Sequence, residues 1–402
     1  MRDRSFLAVC ILILVNQLGF GLITPVMPAY ARSFNLDPSD IGLVIGSYGF
    51  ARFIANVPAG QIAERRGRRT VLIIGTLITS IASALIATAD SLPQLLAYRL
   101  LAGLGAATVI TGGQIMVGDI ATPANRGRML STYQGFFLVG VGLGPTPGGL
   151  LADYFGLRAP FIAYAIFSIA ACALAMLFIR ETKPSEATRA AAAAAAPPGV
   201  GMPSSLMGTL FSVPFLLIGF ISFAQFVGRT GAIFTVVPLL GREQLHFSAS
   251  QIGYALTLIN VLNMLTIYFS GMFADRFGRK LTIAPAMVVG GLGIALFAYA
   301  GSYPMFLLAA AIWGFGYGIA GTSPLAYVAD FAPADARARV IGYFRTVSDG
   351  GYIVGPIVLG AIADRYGYDL PLLLTAGMIV ISGAMFWIFA PEFHRKQNAP
   401  PT

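Results

Sequence analysis

The apolar positions of this chain fall into twelve long blocks rather than short amphipathic periods. The blocks run over 6–30, 41–63, 71–89, 92–118, 129–152 and 159–178, then 215–240, 252–274, 281–300, 304–329, 340–363 and 372–389. Each is near the ~20 residues a helix needs to cross a bilayer. The connections are mostly short and leave no room for a folded soluble domain. The glycines and prolines inside the blocks would break helices in water but are usual in membrane ones. The pattern predicts an all-α membrane protein with twelve transmembrane helices.

The pattern also repeats. Gly60-Gln61-Ile62-Ala63-Glu64-Arg65-Arg66-Gly67-Arg68-Arg69 returns as Gly271-Met272-Phe273-Ala274-Asp275-Arg276-Phe277-Gly278-Arg279-Lys280. Asp119 and Arg126 return as Asp330 and Arg337, Gly144-Pro145 as Gly355-Pro356, and Ala152-Asp153 as Ala363-Asp364, always 211 positions on. Matches spread over most of each half mark two copies of one unit. The expected organisation is therefore two pseudo-symmetric six-helix halves, 1–180 and 211–402, joined by a cytoplasmic linker, 181–210. Parallel repeats of this kind place one site between two movable bodies.

Composition agrees: 56% of residues are hydrophobic and 11% charged, more apolar surface than a soluble domain can hide. The net charge of +9 raises the question of nucleic acid, and the placement of the charges answers it. Of the 26 Lys and Arg, 18 fall in the termini, the linker and the loops after the even-numbered blocks of the first half and their counterparts. Only Arg32, Arg158, Arg242 and Arg365 fall in the opposite loops. This is the positive-inside signature. It predicts a multi-pass protein of the bacterial inner membrane with both termini cytoplasmic, the lipid bilayer as its solvent and no nucleic-acid partner.

The first block follows Arg2 and Arg4 as a signal peptide would, but it is too long for a signal core. At the 211 offset it matches 217–241, so it reads as the repeat's own first helix. Cys10 and Cys172 have no metal or redox spacing. The linker holds an alanine run, Ala190 to Ala196, that suggests a short helix.

Gly60 to Arg69, with its second copy, resembles the signature loop of the major facilitator superfamily and sits where that family has it, between helices two and three. The glycines permit a tight turn, the acid stands at a helix end, and the arginines hold the loop in the cytoplasm. On the fifth block, Gly140-x-x-x-Gly144-Pro145-x-x-Gly148-Gly149 resembles the family's antiporter motif, with Ser131 where its first glycine is expected. Small residues allow close helix packing, and Pro145 kinks the helix; Gly355 and Pro356 are the second-half copies. Leu96-x-x-Arg99 followed by Gly103-x-Gly105 resembles the helix-four motif, whose arginine the family links to proton coupling. These resemblances imply the major facilitator fold in its twelve-helix drug:proton antiporter branch.

Charges within the blocks are few. At about 1.5 Å per residue, Asp349 lies about 14 Å in from the cytoplasmic end, Arg52 about 16 Å and Arg345 about 8 Å, with Arg229 about 21 Å deep. Arg345 and Asp349 share a helix face at a spacing of four. The resemblance makes helices two and eleven neighbours, so Arg52 is a second partner for Asp349. A carboxylate that alternately gains and loses an arginine can bind and release a proton. Asp349, Arg52, Arg345 and Arg99 are therefore the proton-coupling candidates. Asn16, Gln17, Gln114, Gln134, Gln225, Asn260 and Asn263, with Arg229, are candidates to line a cavity.

Loop charges supply a candidate gate between the halves: Gly60, Glu64, Arg65, Arg68 and Asp119, with Asp275, Arg279 and Asp330 as copies. Glu64 is expected near Arg345, and Asp119 near Arg68. Helices one and four lack the core carboxylate that many multidrug antiporters use for cationic drugs. Four buried cations against one acid favour an anionic, zwitterionic or neutral cargo. No catalytic constellation, metal set or nucleotide motif appears, so neither an enzyme nor a primary pump is expected, and no cofactor.

The reading is a secondary active transporter, a monomer whose partners are small-molecule cargo and protons, exporting a small amphipathic compound by alternating access. The alternatives are an importer or uniporter of an organic anion or sugar, and a non-transporting membrane sensor or scaffold, which would need no charges in lipid.

Overall fold

The computed structural model describes residues 2–122, 125–183, 204–333 and 336–393. All regular structure among them is helical. Twelve helices are long and apolar enough to cross a membrane: α1 (Arg4–Ile23), α2 (Pro38–Arg66), α3 (Arg68–Ala87), α4 (Leu92–Ile120), α5 (Arg126–Phe155), α6 (Ala159–Phe178), α7 (Val213–Gln244), α8 (Ala249–Phe277), α9 (Arg279–Ala298), α10 (Tyr303–Phe331), α11 (Arg339–Tyr366) and α12 (Asp369–Phe389). Several extend about a turn past the apolar block that announces them. Hydropathy marks the residues that meet lipid, whereas backbone hydrogen bonding runs on until a terminator stops it.

The terminators repeat with the sequence. Gly67 and Gly278 end α2 and α8 with φ of 100° and 96°, and Gly156 and Gly367 end α5 and α11 with 89° and 77°. Side chains avoid that left-handed region and glycine does not. A carboxylate then receives the first free N–H groups of the next helix. Glu181 accepts from Arg68 N at 2.8 Å and Arg69 N at 3.2 Å, and Glu392, 211 positions later, accepts from Lys280 N at 2.9 Å. Negative charge suits the positive end of a helix dipole. These contacts change the expected linker, 181–210. Thr182 donates to Asp119 (3.1 Å) and Lys183 to the Arg65 carbonyl (2.8 Å), so its first residues are tied to the first half. Ser204–Leu210 is helical, with Leu206 buried. The alanine run lies outside the described residues, as do His394, Arg395 and Lys396.

Within the first half α2 packs on α4, α3 on α4 and α6, and α1 on α5 and α6. Within the second, α8 packs on α10, α9 on α10 and α12, and α7 on α11. The halves meet chiefly along α2 with α11 and α5 with α8. Two departures from symmetry stand out. Helix α7 is π-helical over Val227–Val236 and again over Leu240–Gln244. Helix α10 breaks at Gly321 (φ 38°) between Tyr303–Ala320 and Ser323–Phe331. Such interruptions are tolerated at membrane depth where protein or a cavity takes the freed backbone groups.

Contacts between halves gather at the end opposite the basic loops. A side chain at Gly42 would overlap the Pro356 carbonyl, and one at Gly253 the Pro145 carbonyl. Gly360 and Gly149 lie equally close to Pro38 and Ala249. Carboxylates cross the same seam. Asp153, at the end of α5, accepts from Ala249 N (3.0 Å) and Ser250 N (2.9 Å), which open α8. Asp364, at the end of α11, accepts from Ser39 N (3.1 Å), which opens α2. Arg32 adds an ion pair to Glu243 (2.9 Å), which also accepts from the Tyr368 hydroxyl (2.7 Å). Burial and that bond to a carboxylate raise the Tyr368 phenol above its ordinary range. The basic end is apart: Asn56, Gln114 and Arg345 are exposed there on helices that touch at the other end.

Asp153→Asn with Asp364→Asn removes the charge from each cap while keeping one accepting oxygen there, where Asp153 had used two. Each charge at a helix start is worth about 0.5–1 kcal/mol. The double variant should therefore shift the population toward a form open at this end by roughly five- to thirtyfold. Electron spin distances between labels on residues 90 and 301 read the shift, and an unchanged distribution counts against the latch.

Candidate functional site

A cavity of about 550 Å³ lies between the halves and opens toward the basic end. Its walls come from α2, α4, α7, α10 and α11, so both repeats contribute. Of the sequence candidates, Arg52, Gln114, Gln225, Arg345 and Asp349 line it, with Asn56, Thr111, Ser222 and Ser348 as further polar groups. Phe226, Phe344, Leu325, Ile110 and Tyr317 supply apolar wall. The break in α10 brings Gly321 and Pro324 to the same surface.

Asp349 lies within electrostatic range of both candidate arginines, Arg52 on the opposite half and Arg345 one turn away on its own helix. It takes part in none of the described ion pairs, which extend to 4.0 Å. The three charges are thus brought together without being locked. Arg52 is held by rings: its guanidinium carbon lies 5.9 Å from the Tyr48 centroid and 5.6 Å from that of Tyr352. Its Nε is buried and without a partner.

Arg99 lies beyond the cavity, toward the closed end. It is 3% exposed, sits 4.5 Å from the Tyr48 centroid and donates from Nε to the Val44 carbonyl at 3.3 Å. Its Nη1 is buried and unpartnered. It borders a small void with Phe20, Thr24, Phe234 and Tyr352. Two guanidiniums therefore touch one ring, Tyr48, one from the cavity side and one from the closed side. Arg229 lies in the π-helical part of α7, 3.5 Å from the Tyr317 hydroxyl and 5.6 Å from the Phe234 ring. It lines a second recess with Asn260, Asn263, Trp313 and Tyr317. Tyr317 is common to that recess and the cavity.

Other candidates fall elsewhere. Asn16 and Gln17 are buried in α1 with unpartnered side-chain atoms and border none of these three spaces. Gln134 is exposed on α5, outside the described lining. The glycines of the α5 motif are a packing seam: Gly140, Gly144 and Gly148 abut α1, while Gly149 and Pro145 abut α8 across the halves. Gly355 abuts Val227 and Gly231 on α7, and Pro356 abuts Gly42.

The loop charges of the basic end pair within each half in this conformation. Arg68 does meet Asp119, at 2.7 Å, and Arg279 meets Asp330 at 3.1 Å and Asp275 at 2.9 Å. Each of these pairs lies within one half, so it staples neighbouring helix ends and is not a bridge between halves. Glu64 and Arg65 are exposed at the basic end, and a side chain at Gly60 would meet open space.

Sequence reasoning missed Tyr48 and Tyr352, which hold the arginines, and the carboxylates Asp153 and Asp364. The last two were visible as repeat-matched residues, but nothing in one dimension pointed to a helix start in the other half.

Comparison with known proteins places these features in a family. A family model described as Major Facilitator Superfamily matches residues 9–253 and 220–402. The tetracycline resistance protein, class H, of Pasteurella multocida is 25% identical over 410 residues, covering 99% of this chain and 98% of that protein. The quinolone resistance protein NorA of Staphylococcus aureus is 23% identical and covers 94% of each. Among solved structures, a bacterial homologue of the human lysosomal transporter Spinster, in an inward-facing and occupied conformation, superposes with a TM-score of 0.81. It is 17% identical and covers 100% of this chain and 99% of that one.

Asp119→Asn leaves the largely buried Arg68 without its charged partner, at a cost of about 1–3 kcal/mol, and Asp330→Asn leaves Arg279 with only the more exposed Asp275. Thermal unfolding in detergent should drop by several degrees in each variant, with distances between the halves unchanged. A changed distance with full stability would restore the gate.

Proposed function

This chain belongs to the major facilitator superfamily; it is a multi-pass membrane transporter and not an enzyme, and from that premise we propose proton-coupled efflux of a small amphipathic compound. The observation that supports this reading most is the placement of Asp349. It is a carboxylate in the cavity wall, on the interface helix α11, within electrostatic reach of Arg52 on the opposite half and Arg345 on its own. Rocking one half against the other changes the Asp349–Arg52 separation, and with it the affinity of the carboxylate for a proton. A proton moving inward supplies about 1.4 kcal/mol per pH unit and about 2.3 kcal/mol per 100 mV.

The basic end is read as cytoplasmic by the positive-inside rule. On that reading the conformation is inward-facing, both termini are cytoplasmic and the membrane is the bacterial inner one. Export is supported by the glycine seam of α5, which meets α8 as part of the outer closure, and by the names of the two resistance-protein relatives. The monomer holds a complete cavity, so no second copy is required. A second reading, import or uniport of an organic anion, is favoured by the excess of guanidiniums around the cavity. Everted vesicles separate the two: export loads them under an imposed proton gradient, and import does not.

In such vesicles Asp349→Asn should abolish gradient-driven accumulation while counterflow of cargo persists. Normal pH-driven accumulation by this variant would refute coupling through Asp349. Arg99→Lys keeps the charge but loses the planar fork that the Tyr48 ring and the Val44 carbonyl engage. It should cut cargo transport by about tenfold, and Arg99→Ala should abolish it, with unfolding temperatures measured alongside. Full transport by a stable Arg99→Ala would make the residue structural.

A further inference from the structure

The charges around the central space do not balance. Arg52 and Arg345 line the cavity, Arg229 lines the recess that shares Tyr317 with it, and Arg99 lines the void beyond Tyr352. Asp349 is the sole carboxylate among the lining residues of all three. Four guanidiniums against one carboxylate leave an excess of positive charge around this space; Arg345 is exposed at its open end, whereas Arg52 and Arg99 lie deeper among protein, where uncompensated charge is expensive. Rings meet part of that cost at Arg52, Arg99 and Arg229. They supply no acceptor for Arg52 Nε or Arg99 Nη1, both buried and unpartnered. An anion entering the cavity offsets the charge of Arg52 and Arg345, which line it, whereas Arg99 lies beyond it.

We propose that the cargo is an organic monoanion with an apolar body, its carboxylate or sulfonate received between Arg52 and Arg345. This rests on the transporter reading above, but on neither its direction nor its proton coupling. The geometry sorts the alternatives. Guanidinium presents paired N–H donors that match a carboxylate fork, which a hydroxyl or amide does not exploit. A cationic cargo would meet an excess of like charge with one acid to offset it. A small hydrated inorganic anion leaves most of the ~550 Å³ and the walls of Phe226, Phe344 and Tyr317 unused. A body of two fused rings fits a space of this size, within the common range for small-molecule sites. Asp349 has its place in the same scheme. It competes with the cargo for both arginines, so removing its charge strengthens anion binding.

The test is calorimetric titration of the full chain in detergent micelles with three matched probes. They are naphthalene-2-carboxylate, its neutral primary amide and naphthalen-2-ylmethylammonium. The carboxylate should bind at least about tenfold tighter than the amide, and the ammonium should not bind measurably. Arg52→Gln should erase the preference for the carboxylate, Arg52→Lys should retain part of it, and Asp349→Asn should increase it. Thermal unfolding of each variant verifies the fold, and the lysine variant keeps the question decidable should the glutamine variant prove unstable. Amide or ammonium binding as tight as the carboxylate's, no binding of the carboxylate, or an unchanged preference in folded Arg52→Gln overturns the proposal. A chain that binds the carboxylate yet moves no cargo in vesicles would overturn the transport reading and leave the anion site standing.

Discussion

Helix starts carry free backbone N–H groups, and their partial positive charge draws carboxylates. In this protein the placement of those carboxylates organises the molecule. Glu181 and Glu392 cap helices within their own half. Asp153 and Asp364 cap helices of the other half. The first pair ties helices together within each half, and the second ties the two halves together at one end. Both pairs obey the 211-residue repeat, so the internal duplication yields two matching latches. Around them, glycines allow backbone against backbone at Gly42 with Pro356 and Gly253 with Pro145. A latch made of a few polar contacts and shape-matched glycines can be released whole, whereas a greasy interface of the same extent would also be satisfied by lipid.

Closure at one end leaves the other free to open onto the cavity, and this separates two classes of charge. Charges at the basic end that pair within a half, such as Arg68 with Asp119 and Arg279 with Asp330, are short and partly buried. Charges in the central space are near one another but unpaired within 4.0 Å, with rings as their nearest support. The first arrangement is static. The second keeps its cations available, because the attraction of a ring to a guanidinium is weaker than that of a carboxylate and is yielded more readily. Tyr48 is central to it: it touches Arg52 from the open cavity and Arg99 from the closed side.

The repeat is broken where the two halves need different things. The π-helical stretch of α7 carries Arg229, and the break in α10 brings Gly321 to the cavity wall. At the 211 offset Gly321 corresponds to Ile110, which lies within the uninterrupted α4. The second half thus supplies the irregular surface and the first half the Arg52–Tyr48–Arg99 column.

Much was legible in the chain alone. The resemblance of the Gly60–Arg69 loop and of the α4 and α5 motifs implies the family, while the number of spans, the two halves and the basic end follow from hydropathy, periodicity and the positions of Lys and Arg. These are properties each segment expresses toward its solvent regardless of its neighbours. Arg52, Arg99, Arg229 and Asp349 could be singled out for the same reason, since a charge in an apolar block is anomalous wherever its helix packs. Their partners could not. Whether Asp119 faces its own half or the other, which ring lies under Arg52, and which helix start receives Asp153 depend on helix rotation and on the approach of residues some 100 to 300 positions apart. Differences of a few ångströms there decide between an ion pair, a cation–ring contact and no contact. Only the folded arrangement sets those distances, because they belong to pairs of helices and to no single one.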